Sequence, residues 1–319
     1  NTRNIESTSD NTPMRIYEVV DNVITSSHRS GTIYVQGDDD AAETLQAIIK
    51  NNELDRTNYS SIEVSRLKGG TISGNTMIKA FSSQGYYSSW YNNGAINVYH
   101  STVDIVDNVI DSSFAAGIYF SSSIGRIDSN TVTRNASGIR IEGSFEQSST
   151  PLVRHNNVTN NIYQGIWVSN YASPTINYND LFSNSTESDY VDISNEVSNT
   201  IYSELNARLN YWGETTTAVM DEGGNPKNLS NIHDQYDDAS LGFVNYGNYL
   251  SESGGQPSAT NVTGSVLLTD ASGTEQLNFT SGSTIYVQVT DGDRNADENT
   301  QETITATVVS DTDTDGETV

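Results

Sequence analysis

The sequence predicts an all-β protein in which a long stack of β-strand coils is followed by a partial β-sandwich. Three observations indicate this fold. A six-residue pattern centred on asparagine recurs between residues 19 and 181, and a pattern of alternating apolar residues follows each copy. After residue 250 both patterns stop, and longer alternating strands separated by turn-rich segments replace them.

The first pattern is an aliphatic residue, two variable residues, an asparagine, one variable residue and a second aliphatic residue. Its copies centre on Asn22, Asn52, Asn75, Asn108, Asn130, Asn156 and Asn179, which are 30, 23, 33, 22, 26 and 23 residues apart. Asparagine tolerates left-handed backbone angles, and its amide both donates and accepts hydrogen bonds. We therefore expect these side chains to stack at an inward turn and to bond one another along the stack.

The second pattern begins about ten residues after each asparagine and usually opens with glycine. Its copies are Gly31–Val35, Gly94–Val98, Gly117–Phe120, Gly138–Ile141 and Gly165–Val168, with glycine-free versions at Ile62/Val64 and Val191/Ile193. Alternation indicates a strand with one buried face. Two short strands in about 22 residues, without a helix between them, cannot form βαβ units. Each strand should therefore pair in parallel with its counterpart one coil earlier, with its isoleucines in one aliphatic column.

With these motifs the chain resembles the right-handed parallel β-helix repeat proteins, which include pectate-lyase-like enzymes, NosD-like periplasmic proteins and many surface proteins. The resemblance covers residues 14–250, and it includes Asn210-Tyr211-Trp212-Gly213, which is similar to the closing coil of many such repeats. It implies a right-handed parallel β-helix but says little about chemistry. Residues 1–13 are expected to be an extended N-terminal tail.

Two longer intervals between the repeats need their own interpretation. Residues 38–40 are acidic, and the following residues 41–50 are compatible with a short helix over the first coils; a cation site is the alternative. Residues 84–92 hold four aromatic residues, Tyr86, Tyr87, Trp90 and Tyr91. Exposed rings stack on sugars or on a partner protein, so these four are the predicted glycan- or partner-binding residues. A loop that covers a hydrophobic seam is the alternative.

Residues 251–258 form a polar linker, and residues 259–319 resemble an immunoglobulin-like sandwich of the kind repeated in bacterial and archaeal surface proteins. The segment is shorter than the ~100 residues of a typical sandwich, so its sheet is expected to be incomplete. Downstream sequence or another subunit could complete it. Our hypothesis is that residues 1–12 pair with the open sheet of a neighbour and build a fibre head to tail.

Two acidic segments predict calcium binding, because alternate oxygen-bearing residues can point inward around a hard cation. The predicted ligands are Asp291, Asp293, Asn295, Asp297 and Glu302 in the first segment, and Asp311, Asp313 and Asp315 in the second. Ala296 stands where such a loop usually has glycine, and the flanks resemble strands rather than helices. The alternative is that both segments are acidic, solvated loops.

The chain has 41 acidic and 15 basic residues, a net charge of −26, and no cysteine. This charge opposes binding to nucleic acid and to anionic membranes, and it attracts divalent cations. No apolar run approaches the ~20 residues of a membrane span, so no membrane insertion is expected. The start lacks methionine and a visible signal peptide, which suggests a processed or partial chain. Seven glycosylation sequons suggest secretion only weakly: Asn58, Asn135, Asn157, Asn184, Asn228, Asn261 and Asn278.

No catalytic residues are predicted. Four arginines (Arg126, Arg134, Arg140 and Arg154) lie on neighbouring coils with Asp128 and Glu142, where they form either a cleft or salt-bridged ladders. No lysine lies in a repeat frame beside paired acids, as a polysaccharide lyase would require. The predicted function is therefore an extracellular or cell-surface structural or adhesive protein, a self-associating subunit of a surface fibre or surface layer. The alternative is a carbohydrate-active protein, either a polysaccharide lyase or a glycan-binding module.

Overall fold

The computed structural model describes residues 2–9, 12–25, 32–37, 44–82, 93–184, 191–197, 204–255, 265–274, 276, 284, 286–290, 307–310 and 313–318. One α-helix lies within these ranges, α1 (Gly213–Asp221). The strands of the described ranges are β1 (Thr2–Ser9), β2 (Thr12–Val20), β3 (Val23–Thr25), β4 (Ile33–Gln36), β5 (Thr44–Lys50), β6 (Glu53–Asp55), β7 (Ile62–Ser65), β8 (Gly69–Ser73), β9 (Thr76–Ile78), β10 (Gly94–Tyr99), β11 (Asp104–Val106), β12 (Val109–Asp111), β13 (Ala116–Ser121), β14 (Arg126–Asp128), β15 (Thr131–Thr133), β16 (Ser137–Glu142), β17 (Leu152–Arg154), β18 (Asn157–Thr159), β19 (Ile166–Ser169), β20 (Thr175–Asn177), β21 (Asp180–Phe182), β22 (Ile193–Glu196), β23 (Glu204–Asn206), β24 (Ile232–His233), β25 (Phe243–Asn245), β26 (Ser265–Thr269), β27 (Tyr286–Thr290), β28 (Thr307–Ser310) and β29 (Asp313–Thr318).

Three sheets form the walls of a winding rod. Sheet 1 has the order β1-β2-β5-β8-β11-β14-β17-β20-β23-β25, sheet 2 the order β3-β6-β9-β12-β15-β18-β21, and sheet 3 the order β4-β7-β10-β13-β16-β19-β22-β24. A coil passes through sheet 1, then sheet 2, then sheet 3, and from β2 onwards the strands of successive coils pair in parallel. The predicted parallel β-helix is therefore confirmed.

The core of the rod is a set of aliphatic columns. In sheet 3 the register aligns Ile33, Ile62, Ile96, Ile118, Ile139, Ile166 and Ile193. Apart from Ile33 these side chains have no solvent exposure. Burial of each stabilises the fold by about 1.5–3 kcal/mol. The predicted isoleucine column is confirmed.

At the corner between sheets 1 and 2 the seven predicted asparagines form a continuous ladder that extends to Asn210. Each side-chain Nδ2 donates to the Oδ1 of the next asparagine at 2.8–2.9 Å. The backbone N–H donates to the same Oδ1 at 2.8–3.1 Å. The left-handed residue of the turn is the one before each asparagine, such as Asp107 (φ 56°) and Ser129 (φ 57°). The expected stacking and bonding of the asparagines is therefore confirmed, and the residue before each asparagine supplies the left-handed angle.

The other two corners also carry ladders, which the sequence analysis missed. Between sheets 2 and 3, Asn135 donates to Asn161 at 3.2 Å, Asn161 to Asn184 at 2.9 Å, and Asn184 to Asp192 at 2.9 Å. Between sheets 3 and 1 the hydroxyls of three serines accept backbone N–H bonds from the preceding coil: Ser101, Ser123 and Ser149. Hydrogen bonds therefore link successive coils at every corner of these central turns.

The N-terminal region differs from two expectations. Residues 44–50 form β5 instead of a helix, because β5 pairs with β2 on one side and β8 on the other and buries alternate side chains, including Ala47 and Ile49. Residues 2–9 form β1, which pairs antiparallel with β2. The segment expected to be a tail is thus the edge strand of sheet 1.

The far end of the rod is closed by α1 and the segment after it. Trp212, Met220 and Tyr249 are buried there, and the Tyr249 hydroxyl donates to Asp221 Oδ1 at 2.7 Å. Further along the chain, β26 pairs with β27 and β28 with β29, both antiparallel. Small antiparallel pairs are compatible with a partial immunoglobulin-like module. No helix within the described ranges is long and apolar enough to cross a membrane.

Candidate functional site

The outward face of sheet 3 carries a buried column of large polar side chains. In each strand the residue between the two inward-facing apolar positions points outward. Strand register places Tyr119, Arg140 and Trp167 next to one another on β13, β16 and β19. Although they lie on the outside of the rod, they are only 4%, 7% and 9% exposed. We call these three residues the sheet 3 column.

Arg140 is the central residue of the column. Its guanidinium carbon lies 4.1 Å from the ring centroid of Trp167 and 5.5 Å from that of Tyr119. Its Nη2 donates to Glu142 Oε2 at 3.1 Å, but neither Nε nor Nη1 has a hydrogen-bond partner among the described residues. A buried donor without a partner costs about 1–3 kcal/mol. The site therefore holds unused donors of a cation that is already desolvated.

Glu142 holds the column in place. Its Oε2 also accepts a hydrogen bond from the Tyr119 hydroxyl at 2.8 Å, and its Oε1 accepts one from Asn170 Nδ2. Burial, followed by the charge of Glu142, raises the pKa of Tyr119 to about 12. Burial also raises the pKa of Tyr99, whose ring packs edge-on against Tyr119 at 5.5 Å. Both phenols are therefore protonated at neutral pH, and the Tyr119 hydroxyl donates to Glu142.

These groups are suited to binding rather than to proton transfer. The Trp167 and Tyr119 rings flank the planar guanidinium of Arg140 in the same column, and all three side chains are at most 9% exposed. Glu142 accepts bonds from three neighbours, so both of its oxygens are engaged in holding the column together. The arrangement fits a ligand that has an oxyanion beside a flat, partly apolar surface.

The other arginines of the predicted cluster form salt-bridged ladders. On sheet 1, Arg126 pairs with Asp104 at 2.9 Å and Arg154 pairs with Asp128 at 3.0 Å. Burial acts to raise the pKa of Asp128, but the hydrogen bonds from Arg154 and His155 outweigh it and hold the pKa below its usual value. Arg134 pairs with Asp111 on the outside of sheet 2. Of the four arginines only Arg140 lies in the sheet 3 column.

The predicted site residues mostly fall outside the described residues. These are Tyr86, Tyr87, Trp90, Tyr91, Asp291, Asp293, Asn295, Asp297, Glu302 and Asp311. Asp313 and Asp315 lie in β29, for which the structure describes the backbone alone. Within the described part of the chain, no three His, Asp or Glu side chains are grouped as metal ligands. That finding does not test the calcium prediction, which stays a prediction.

The sheet 3 column could have been predicted from the sequence by aligning the repeats, although the amino-acid composition gives no sign of it. Tyr119, Arg140 and Trp167 occupy the same position, directly after the isoleucine, in three consecutive glycine-led copies of the second pattern. The strand pattern assigns this position to the outside. Comparing outward positions between coils would therefore have brought the three residues together.

Comparison with known proteins agrees with the fold. A family model described as "Right handed beta helix region" matches residues 5–182. The matched residues end at β21, and the structure continues the same winding through β25. No curated protein and no solved structure matches the chain.

Proposed function

The chain belongs to the right-handed β-helix family, and on this basis we propose that it is an extracellular or cell-surface adhesive protein that binds an anionic glycan at the sheet 3 column. Membership of this family is consistent with a surface or carbohydrate-related protein. The observation that carries the proposal is Arg140, buried between two aromatic rings with Nε and Nη1 unpartnered among the described residues.

A carboxylate or sulfate group matches Arg140 Nε and Nη1, which are shielded from solvent and would be reached only when the side chains around them move. A guanidinium presents its N–H groups as a rigid fork that binds such oxyanions through two parallel hydrogen bonds. The apolar face of a sugar ring can then stack on an aromatic ring beside the guanidinium. The net charge of −26 repels an anionic ligand at long range. Salt screens that repulsion more than it screens a desolvated contact, so binding should tolerate moderate salt.

The geometry of the sheet 3 column favours a protein that binds the glycan over a lyase that cleaves it. Lyase chemistry needs a basic side chain placed to remove a proton next to carboxylates that stabilise the resulting charge. The carboxylate that contacts the sheet 3 column, Glu142, is occupied by Tyr119, Arg140 and Asn170. A screen of acidic polysaccharides for unsaturated, absorbing products distinguishes the two functions, and we expect none to form.

Titration calorimetry with a uronate-containing polysaccharide tests the binding proposal. Arg140→Gln should weaken binding by about tenfold or more, which corresponds to ~1.4 kcal/mol. Arg140→Lys should bind almost as weakly as Arg140→Gln, because an ammonium group cannot form the forked contact. Arg134→Gln is the matched control, since it removes the same charge from the outside of sheet 2. Equal binding by the Arg140 and Arg134 variants, or equal affinity for a neutral polysaccharide, would contradict the proposal.

Assembly into a fibre is a second proposed property. The observation that favours it is β1, which pairs with β2 on one side and has no partner strand on the other side within the described part of the chain. An edge strand of this kind can accept a strand from a neighbour. The two-stranded pairs β26–β27 and β28–β29 are too small to be stable alone and could supply it.

Deletion of residues 1–12 tests the fibre proposal, with circular dichroism to verify that the β-helix remains folded. We expect the full chain to form filaments in negative-stain microscopy and the deleted chain to give short separate rods. Filaments formed by the deleted chain would contradict assembly through β1.

A further inference from the structure

The outward face of sheet 2 carries one of the glycosylation sequons in an extended strand. Asn157, Val158 and Thr159 form β18, which pairs in parallel with β15 on one side and β21 on the other. Side chains alternate along a strand, so Val158 faces the core and the two polar residues point outward. Asn157 is exposed, whereas Thr159 is buried beside it. The asparagine of this sequon is therefore presented to solvent.

The two polar residues of this sequon are hydrogen-bonded to each other. Thr159 Oγ1 donates to Asn157 Oδ1 at 2.9 Å. Because this bond uses the amide oxygen, it holds the amide in place and leaves Nδ2 without a hydrogen-bond partner among the described residues. Nδ2 is the atom to which an N-linked sugar is joined. A sugar there leaves Oδ1 as an acceptor, so the modified side chain keeps its bond to Thr159.

Two other sequons lie inside the rod. Asn135 and Asn184 belong to the second asparagine ladder, and their Nδ2 atoms donate to Asn161 and to Asp192. Both asparagines are buried. A sugar on either nitrogen would remove a buried hydrogen bond and would need space that the packed core does not have. The folded chain therefore cannot carry a glycan at these two positions.

The sequons at Asn58 and Asn228 lie outside the strands and lack the internal bond of β18. Ser60 Oγ donates to Glu63 Oε2 at 3.1 Å, so this hydroxyl is not bonded to Asn58. Asn228 Nδ2 donates to Asp237 Oδ1 at 3.4 Å. Among the sequons that the structure describes in full, the hydroxyl therefore holds the asparagine only in β18. The last two sequons of the chain lie outside the described residues.

We propose that Asn157 is an N-glycosylation site, an inference that rests on the extracellular location proposed above. The sugar donor is a lipid-linked oligosaccharide, and the catalyst is an oligosaccharyltransferase of the cell. A bond forms between Asn157 Nδ2 and the anomeric carbon of the sugar, and the bond from that carbon to the lipid phosphate breaks. The phosphate leaves with the electron pair and the amide loses one proton, so nothing is oxidised or reduced. The glycan stands on a different wall of the rod from the sheet 3 column and from β1.

Secretion of the full chain from a eukaryotic cell line, followed by glycopeptide mass spectrometry, tests this inference. The chains to compare are the wild type, Asn157→Gln, Thr159→Val and Thr159→Ser. Thr159→Val keeps Asn157 and the shape of the threonine but removes the hydroxyl that the sequon requires. Thr159→Ser keeps the hydroxyl and is the matched control. Thermal unfolding verifies that each secreted variant is folded.

We expect a glycan at Asn157 in the wild type and in Thr159→Ser, and complete loss of that glycan in Asn157→Gln and Thr159→Val. We also expect Asn135 and Asn184 to be unmodified in the folded, secreted chain. A wild-type chain without a glycan at Asn157 would contradict the proposal. A folded chain with a glycan at Asn135 or Asn184 would also overturn it, since burial would then not decide where sugars are attached. Calorimetry of Arg140→Gln uses unglycosylated chains, so either result at Asn157 leaves the test of the sheet 3 column unaffected.

Discussion

The side-chain amide of Asn184 donates a hydrogen bond to Asp192 Oδ1 at 2.9 Å, so the second asparagine ladder ends on a carboxylate. The other oxygen of Asp192 accepts a bond from Asn231 Nδ2 at 2.8 Å. Asn231 lies in the closing segment of the rod. This carboxylate therefore joins the repeated coils to the segment that closes them.

Replacement of Asp192 by asparagine should stabilise the protein at neutral pH. Burial raises the pKa of Asp192 to about 6, and the bonds from Asn231 and Asn184 offset this only in part. The folded state thus binds a proton more tightly than the unfolded state, and stability falls as the pH rises from about 4 to 6. We expect Asp192→Asn to add about 1–3 kcal/mol at pH 7 and little at pH 4.

Urea unfolding at the two pH values measures this effect, with the exposed Asp238→Asn as the control. A loss of stability at both pH values in Asp192→Asn would show that the bond to Asn231 outweighs the burial of charge.

Removal of one asparagine from the first ladder should be strongly destabilising. Asn130 accepts bonds from the Asn108 backbone and side chain, and its Nδ2 donates to Ile105 O and Asn156 Oδ1. Asn130→Ala leaves these buried groups unpaired, so we expect a loss of about 3 kcal/mol or more in urea unfolding. Asn157→Ala on the exposed face of β18 is the control and should change stability by less than about 0.5 kcal/mol. Equal losses in the two variants would contradict the role of the ladder.

The glycines that open the sheet 3 strands are needed because of close packing. A Cβ at Gly138 would lie 2.6 Å from Val158 Cγ1 and would overlap the carbonyl oxygen of Gly165 on the next coil. Gly138→Ala should therefore destabilise the protein by several kcal/mol, because the backbones would have to separate. Gly223→Ala, which meets no atom within 4 Å but has φ of 82°, should cost only about 1–2 kcal/mol. Thermal unfolding compares the two variants. A smaller loss of stability in Gly138→Ala than in Gly223→Ala would exclude the steric explanation.

Calcium should protect the C-terminal region if the predicted loop at residues 291–302 binds it. Asp291→Asn/Asp293→Asn removes two of the predicted anionic ligands and should abolish the protection. Limited proteolysis with calcium or with a chelator, read by mass spectrometry around residues 286–318, measures the effect. Asp270→Asn, outside the loop, is the control. Identical cleavage of the wild type in calcium and chelator would rule out the site.

The sequence predicts the part of the fold that depends on spacing. Asn108, Asn130 and Asn156 align because a coil must return each one to the same corner, and the isoleucine column follows from the same constraint. The second ladder stands at a constant offset, five residues after the first, in Asn135, Asn161 and Asn184. Earlier coils have threonine, alanine and serine at that offset. Because only three coils have asparagine there, a search for repeated asparagines does not find the second ladder.

The remaining features depend on contacts that no single segment contains. Ala47 lies in a segment with helical preference, but its neighbours β2 and β8 provide two complete sets of strand partners. From the sequence alone, Arg140 is expected to face solvent and to form a salt bridge, because it lies between two inward-facing apolar residues of its strand. Its burial depends on Tyr119 and Trp167, which come from the coils before and after it. The aromatic segment and the calcium loops stay predictions.

The first ladder also has a direction. From Asn22 to Asn179 each side-chain amide donates to the asparagine of the next coil, so all seven bonds between Asn22 and Asn210 run in the same direction. Their dipoles therefore point the same way along the rod, with the positive end towards α1, and hydrogen bonds in such a series polarise one another. The rod is thus electrically polar along its axis, and this dipole favours end-to-end contact of two rods only when both point the same way, against the repulsion of their net charges.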